Sequence, residues 1–207
     1  MILDNDQLFK RTNKGQDIIG IKNYIVEKIE ESQIIRRYCR WLTRTPLSSN
    51  GLTYNGETVK QTDLDDKYKL IKKIVEPLQG MTGQQILYPY PFNEDIVNEE
   101  QPFLFIYNYS NNFSGRSTGK NIFEVSVCMP LTYNEIYPYG DERLYRIVGE
   151  IINIFDGKTV EGEKHRKVLG DLQFEVRGVN YPYRLTKTKN IIVYPLKIEV
   201  RTSNFRG

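Results

Sequence analysis

The C-terminal part of this chain carries two hydrophobic periods that leave few folds open. Leu144, Ile147, Val148, Ile151, Ile152 and Phe155 recur at intervals of three and four residues. That spacing lays one wide apolar stripe along an α-helix. Asp141 predicts where the helix opens, and Gly157, directly after Asp156, supplies a C-terminal cap. A basic loop follows, and then the period drops to two. Leu172, Phe174 and Val176 alternate with Gln173, Glu175 and Arg177; Tyr194, Leu196, Ile198 and Val200 alternate with Lys197, Glu199 and Arg201. Strands this two-sided bury one face on helices and turn the other to water or to a neighbouring subunit.

Upstream, Phe103 to Tyr109 is a β-prone run, and Ile122 to Met129 alternates Phe123, Val125, Val127 and Met129 with Glu124 and Ser126. The polar stretch Ser110 to Asn121 between them is too long for a tight turn, so a projecting hairpin loop is expected. Near the N-terminus, Ile18, Ile21, Ile25 and Ile29 predict a helix capped by Asp17. It resumes with Ile35, Tyr38 and Leu42, and Glu30-Glu31-Ser32 is a point where it bends or splits. Turn pairs Asn50-Gly51 and Asn55-Gly56 predict a small hairpin using Leu52, Tyr54 and Val59. Leu64, Tyr68, Ile71, Ile74 and Val75 predict a second helix from Asp63 to Pro77, with acids in its first turn and lysines near its end. Residues 88–102, with three prolines among acidic residues, read as an extended connector. The fold class expected is α+β: a mostly antiparallel sheet flanked by helices, with an N-terminal helical region. Residues 1–87 form that helical region with its hairpin, and 88–207 form the sheet plus helix, as one continuous domain.

Composition narrows the function less than the fold. A net charge of +3 is too mild for a surface that binds nucleic acid throughout. The 15 Tyr and 9 Phe suit sheets and protein contacts alike. Cys39 and Cys128 fit two packed thiols better than a disulfide, and two cysteines are too few for a zinc site. No basic, then apolar leader opens the chain, and no apolar run approaches the roughly 20 residues of a membrane span, so neither secretion nor a membrane anchor is expected. Gly115-Arg116-Ser117-Thr118-Gly119-Lys120 echoes a phosphate loop, but it has three residues between its glycines, Asn121 after the lysine, and a strand next. The one histidine, His165, stands among Lys164, Arg166 and Lys167 with no nucleophile in a recognisable turn, and reads as a solvated loop residue. No cofactor or metal is expected. The charges that stand out are Arg36, Arg40 and Arg44 on one helical face, with Arg37 beside them and Tyr38 and Trp41 interleaved. Such a stripe holds phosphates or a partner's carboxylates. Arg116 and Lys120 in the hairpin loop, and Lys187 and Lys189 at the turn between the last two strands, complete the candidate interface or DNA-proximal set.

The order strand, long loop, strand, capped helix, then two long strands resembles bacteriophage tail terminator and related neck proteins. The likeness rests on Glu142-Arg143-Leu144 to Phe155-Asp156-Gly157, on Leu169-Gly170-Asp171-Leu172 and on Ile191 to Val200, roughly the last half of the chain. The resemblance implies a non-enzymatic virion subunit at the head–tail neck, made in the host cytoplasm. It implies a homo-oligomeric ring, hexameric or higher, that stops the tail tube and joins it to the head-side connector. DNA would pass through its channel, and no membrane is involved. Two other readings stand beside it: another virion adaptor or baseplate component, and a DNA-binding accessory protein using the arginine stripe.

Overall fold

The computed structural model describes residues 18–44, 46–47, 52–54, 57–59, 64, 66–77, 80–114, 118–136, 141–177, 181–185 and 190–202. Helix α1 (Ile18–Glu31) and helix α2 (Gln33–Arg40) are the two halves of the expected N-terminal helix. Ser32 splits them: its backbone is extended, its hydroxyl accepts from the Ile35 N–H at 3.3 Å, and it donates to Glu150 at 2.9 Å. This is ordinary N-capping by serine. The predicted small hairpin is present as β1 (Leu52–Tyr54) and β2 (Glu57–Val59). Next come β3 (Leu87–Tyr88), β4 (Phe103–Ser114), β5 (Thr118–Pro130), a one-turn helix α3 (Leu131–Asn134), and the short pair β6 (Glu135–Ile136) and β7 (Asp141–Glu142). Helices α4 (Arg143–Phe155) and α5 (Glu163–Leu169) precede β8 (Leu172–Arg177), β9 (Tyr183–Arg184) and β10 (Ile191–Thr202).

The main sheet runs β3-β4-β5-β10-β8, with β9 pairing the start of β10. Every pairing is antiparallel except β3 with β4, so the α+β expectation holds. Helix α4 buries Leu144, Ile147, Val148, Ile151 and Phe155 over β5, β10 and β8. They meet Phe123, Val125, Val127, Leu196, Ile198 and Phe174 in one apolar cluster that also takes Ile21, Ile25 and Ile29 of α1. Each such side chain contributes about 1.5–3 kcal/mol on leaving water. Gly157, at φ 69°, closes α4 in the left-handed region that a side chain disfavours.

Several expectations are corrected. The hairpin loop of 110–121 is mostly strand: Ser114 pairs with Thr118, and only 115–117 separate β4 from β5. The polar residues there tolerate pairing because a sheet satisfies backbone groups whatever the side chains. Helix α4 starts at Arg143, because Asp141 and Glu142 pair with β6 instead. The basic loop after α4 holds helix α5, and His165 lies in it, half-buried, 3.4 Å from Glu27 and edge-on to the Tyr24 ring at 5.2 Å. The connector 88–102 is a cover. Tyr88, Phe92, Ile96 and Val97 pack on Phe103, Phe105, Cys128, Ile191 and Val193 across the second face of the sheet.

The largest departure is the expected helix from Asp63 to Pro77. Its described part contains only a 3-10 turn at Asp66–Tyr68. The reason lies in Glu30 and Arg40. Arg40 donates to the carbonyls of Tyr68 at 3.2 Å, Lys72 at 2.7 Å and Lys69, and Glu30 accepts the N–H groups of Leu70 at 2.9 Å and Ile71 at 2.7 Å. Those are the groups an α-helix would pair with each other. Two buried side chains take them over and hold the segment as an irregular wrap.

Candidate interface: an open sheet face and a free edge

The arginine stripe does not form on the surface. Arg36 and Arg40 are buried, at 4% and 0% exposure. Arg36 donates to the carbonyls of Glu30 and, at 2.6 Å, Leu64, while Arg40 adds Thr82 at 3.2 Å and Gln84 at 2.5 Å to the carbonyls above. A third buried guanidinium, Arg143, does the same for Tyr133, Trp41, Tyr38 and Thr43. Burial pulls both Arg40 and Arg143 down to about 10, still charged at neutral pH. A guanidinium's planar fork matches several carbonyls at once, which is why arginine and not lysine stands at these posts. Arg36 and Arg40 are corrected from candidate DNA contacts to internal staples. Sequence could not separate the two, because a helical face of arginines looks the same whether solvent or a wrapped loop covers it. Arg37 is half-buried on α2, and Arg44 is exposed with its guanidinium 3.7 Å from Glu135. Arg116, Lys187 and Lys189 lie outside the described residues.

Lys120 is the candidate that the structure places in a larger constellation. On the face away from the helices, the half of the sheet not covered by 88–97 carries Lys120 and Glu124 on β5, Glu175 and Arg177 on β8, and Lys197, Glu199 and Arg201 on β10. Glu199 stands directly across from Glu175. Like charges so placed repel, and cations surround them. Glu199 is reached by Lys120 at 2.6 Å, by Arg201 at 2.5 Å and by Arg177 at 3.7 Å; Arg177 and Arg201 also reach Glu175 at 2.8 and 3.6 Å. Burial alone would raise the Glu199 carboxyl, but the hydrogen bonds and charges of Lys120 and Arg201 win and hold it below its usual range. Tyr107 donates to Glu124 at 2.9 Å, and burial followed by that carboxylate pushes its phenol well up. The Lys197 ammonium sits 4.1 Å over the Tyr109 ring. Three cations (Lys120, Arg177, Arg201) thus pair with two carboxylates (Glu175, Glu199) in a connected lattice, with Lys197 and Glu124 beside it on the same face. The outward positions were visible in the alternation of the strands. Their convergence was not, because it depends on the register of three strands distant in sequence.

The two edges of the sheet differ. Along β8 the chain leaving α4 seals the edge: Gly157 N–H bonds the Phe174 carbonyl at 3.1 Å, Phe174 N–H bonds Lys158 at 2.8 Å, and Val160 N–H bonds Leu172 at 3.1 Å. The Asp156 carboxylate takes the Val176 N–H at 3.0 Å. On the other side β3 covers only Leu104 and Phe105. Among the described residues no backbone bonds the outer side of β4 beyond Tyr88.

Among the described residues no cluster of three or more metal-ligating side chains occurs, and no helix is long and apolar enough to cross a membrane. Fold and surface together define an α+β protein with a helix-covered sheet whose second face is half open and charged. The chain belongs to the YomW family, whose model matches residues 50–191. That match points to a phage-related protein. No curated protein matches the chain.

Proposed function

We propose that this protein is a structural subunit of the phage particle, assembling as a homo-oligomeric ring at the head–tail neck, where it terminates the tail tube and meets the head-side connector. The observation that carries the reading is the open face: a charged lattice whose cations and carboxylates pair with one another across three strands. Such a surface offers specific polar contacts to another protein. It gives no basic stripe to trap phosphate, which suits a subunit past which DNA must slide. Membership of a phage-related family supports the setting, and the resemblance of residues 141–200 to tail terminators supports the position. For the DNA-binding alternative, Arg36 and Arg40, two of the four residues of its stripe, are buried. Mass photometry of the purified chain, with and without tail tubes, tests the proposal. Ring-sized particles, or saturable binding at tube ends, are expected; a protein that stays monomeric and ignores tubes overturns it.

A further inference from the structure

We infer that the edge of β4 beyond Tyr88, which no backbone of the described residues pairs, is a self-association strand that pairs antiparallel with β4 of a second copy of this chain. The step goes beyond the ring reading and does not rest on it, since a two-fold contact makes pairs and cannot close a ring by itself. The chemistry of the occupant follows from the edge. Unpaired backbone N–H and C=O groups in an extended row are satisfied by another extended strand. The register shift at Asn108/Ser110 divides this edge, and the longer run is Ser110–Ser114, about 17 Å of strand at 3.4 Å per residue.

The identity of the occupant follows from charge. Strand edges are ordinarily guarded by lysine, by proline, by a cover or by a bulge. On this protein the β8 edge has its cover, in Gly157–Val160. β4 has a single irregularity, and Phe-Leu-Phe-Ile-Tyr-Asn-Tyr-Ser-Asn-Asn-Phe-Ser from 103 to 114 contains no charged residue and no proline. A neutral strand meets its own copy with no like-charge repulsion, whereas a strand evolved for a charged partner would carry the opposite sign. Beside this run the side-chain amide of Asn108 is enclosed, and its Nδ2 has no acceptor among the described residues. The sealed β8 edge also excludes the other simple arrangement, in which one copy's β4 continues the sheet of the next copy at β8.

Sedimentation of the full chain over a wide concentration range tests this, using Ser110→Lys/Asn112→Lys and Ser110→Glu/Asn112→Glu variants. Wild type should show reversible dimerisation. Each charged variant should self-associate roughly tenfold more weakly, because like charges then face each other across the new ladder. An equimolar mixture of the two variants should restore dimers, a result that misfolding cannot produce. Wild type that is monomeric throughout overturns the inference, and so do variants that dimerise as well as wild type. Because a two-fold contact does not close a ring, ring formation that is the same in wild type and variants bears on the neck reading alone, and the dimer affinities decide this edge.

Discussion

Arg40 offers the most exacting test of how this protein holds itself together. Its guanidinium, fully buried, donates to five carbonyls: Tyr68, Lys69, Lys72, Thr82 and Gln84. Replacing it with methionine keeps much of the volume and removes every donor. The carbonyls of Tyr68 and Thr82 are in buried surroundings, and each left without a partner costs about 1–3 kcal/mol. The other three lie nearer solvent and rehydrate at smaller cost. Losing the charge also removes the cost of keeping it dry, which offsets part of the loss. The net expectation for Arg40→Met is a destabilisation of about 3–4 kcal/mol, a large share of the roughly 5–15 kcal/mol that holds a typical domain together. Urea unfolding measures the total. Hydrogen exchange locates it: amides between Leu64 and Leu87 should lose protection first, those of Leu70 and Ile71 among them, while α4 keeps its own. Arg44→Met is the control, because that arginine is exposed, with its guanidinium 3.7 Å from an equally exposed Glu135, and should cost under about 0.5 kcal/mol. A loss below about 1 kcal/mol for Arg40→Met, with exchange in 64–87 unchanged, would refute the idea that guanidinium bonds hold the wrap.

Two other predictions concern titration. The Glu199 carboxyl is held below its ordinary 4.5 in the folded protein, so its contribution is complete above that value and is lost as pH falls through the depressed one. Acid unfolding of Glu199→Gln should lack this portion of the pH dependence, and curves that superimpose on wild type would contradict the lattice described here. Cys39 and Cys128 are both free and buried; burial pushes Cys39 up to about 12 and Cys128 higher still. Both should resist thiol reagents in the native state at neutral pH and react together once denaturant is added, with stopped-flow labelling as the measurement.

Whether a feature could be read from the sequence depended on whether its cause was local. The α4 stripe, the stop at Gly157, the split at Ser32 and the alternation of β5, β8 and β10 follow from spacing, capping and side-chain period, and each appears where those rules place it within a few residues. The α+β class follows from them. Residues 64–77 show the opposite case. Their apolar spacing is helical, yet Arg40, 28 to 32 residues earlier in the chain, and Glu30, 40 or 41 earlier, take the backbone groups a helix needs. The same contacts moved Arg36 and Arg40 from a supposed surface stripe to the interior. The charged face was half legible, since alternation named its outward residues. Strand register alone brought Lys120, Glu175, Arg177, Glu199 and Arg201 within bonding distance. Only tertiary structure could distinguish the sealed edge at β8 from the β4 edge, which no backbone of the described residues pairs beyond Tyr88, because an edge is defined by what lies beside it. Periodicity determined which side chains turn inward; long-range hydrogen bonds, which no local pattern encodes, decided which backbone remains available to a partner.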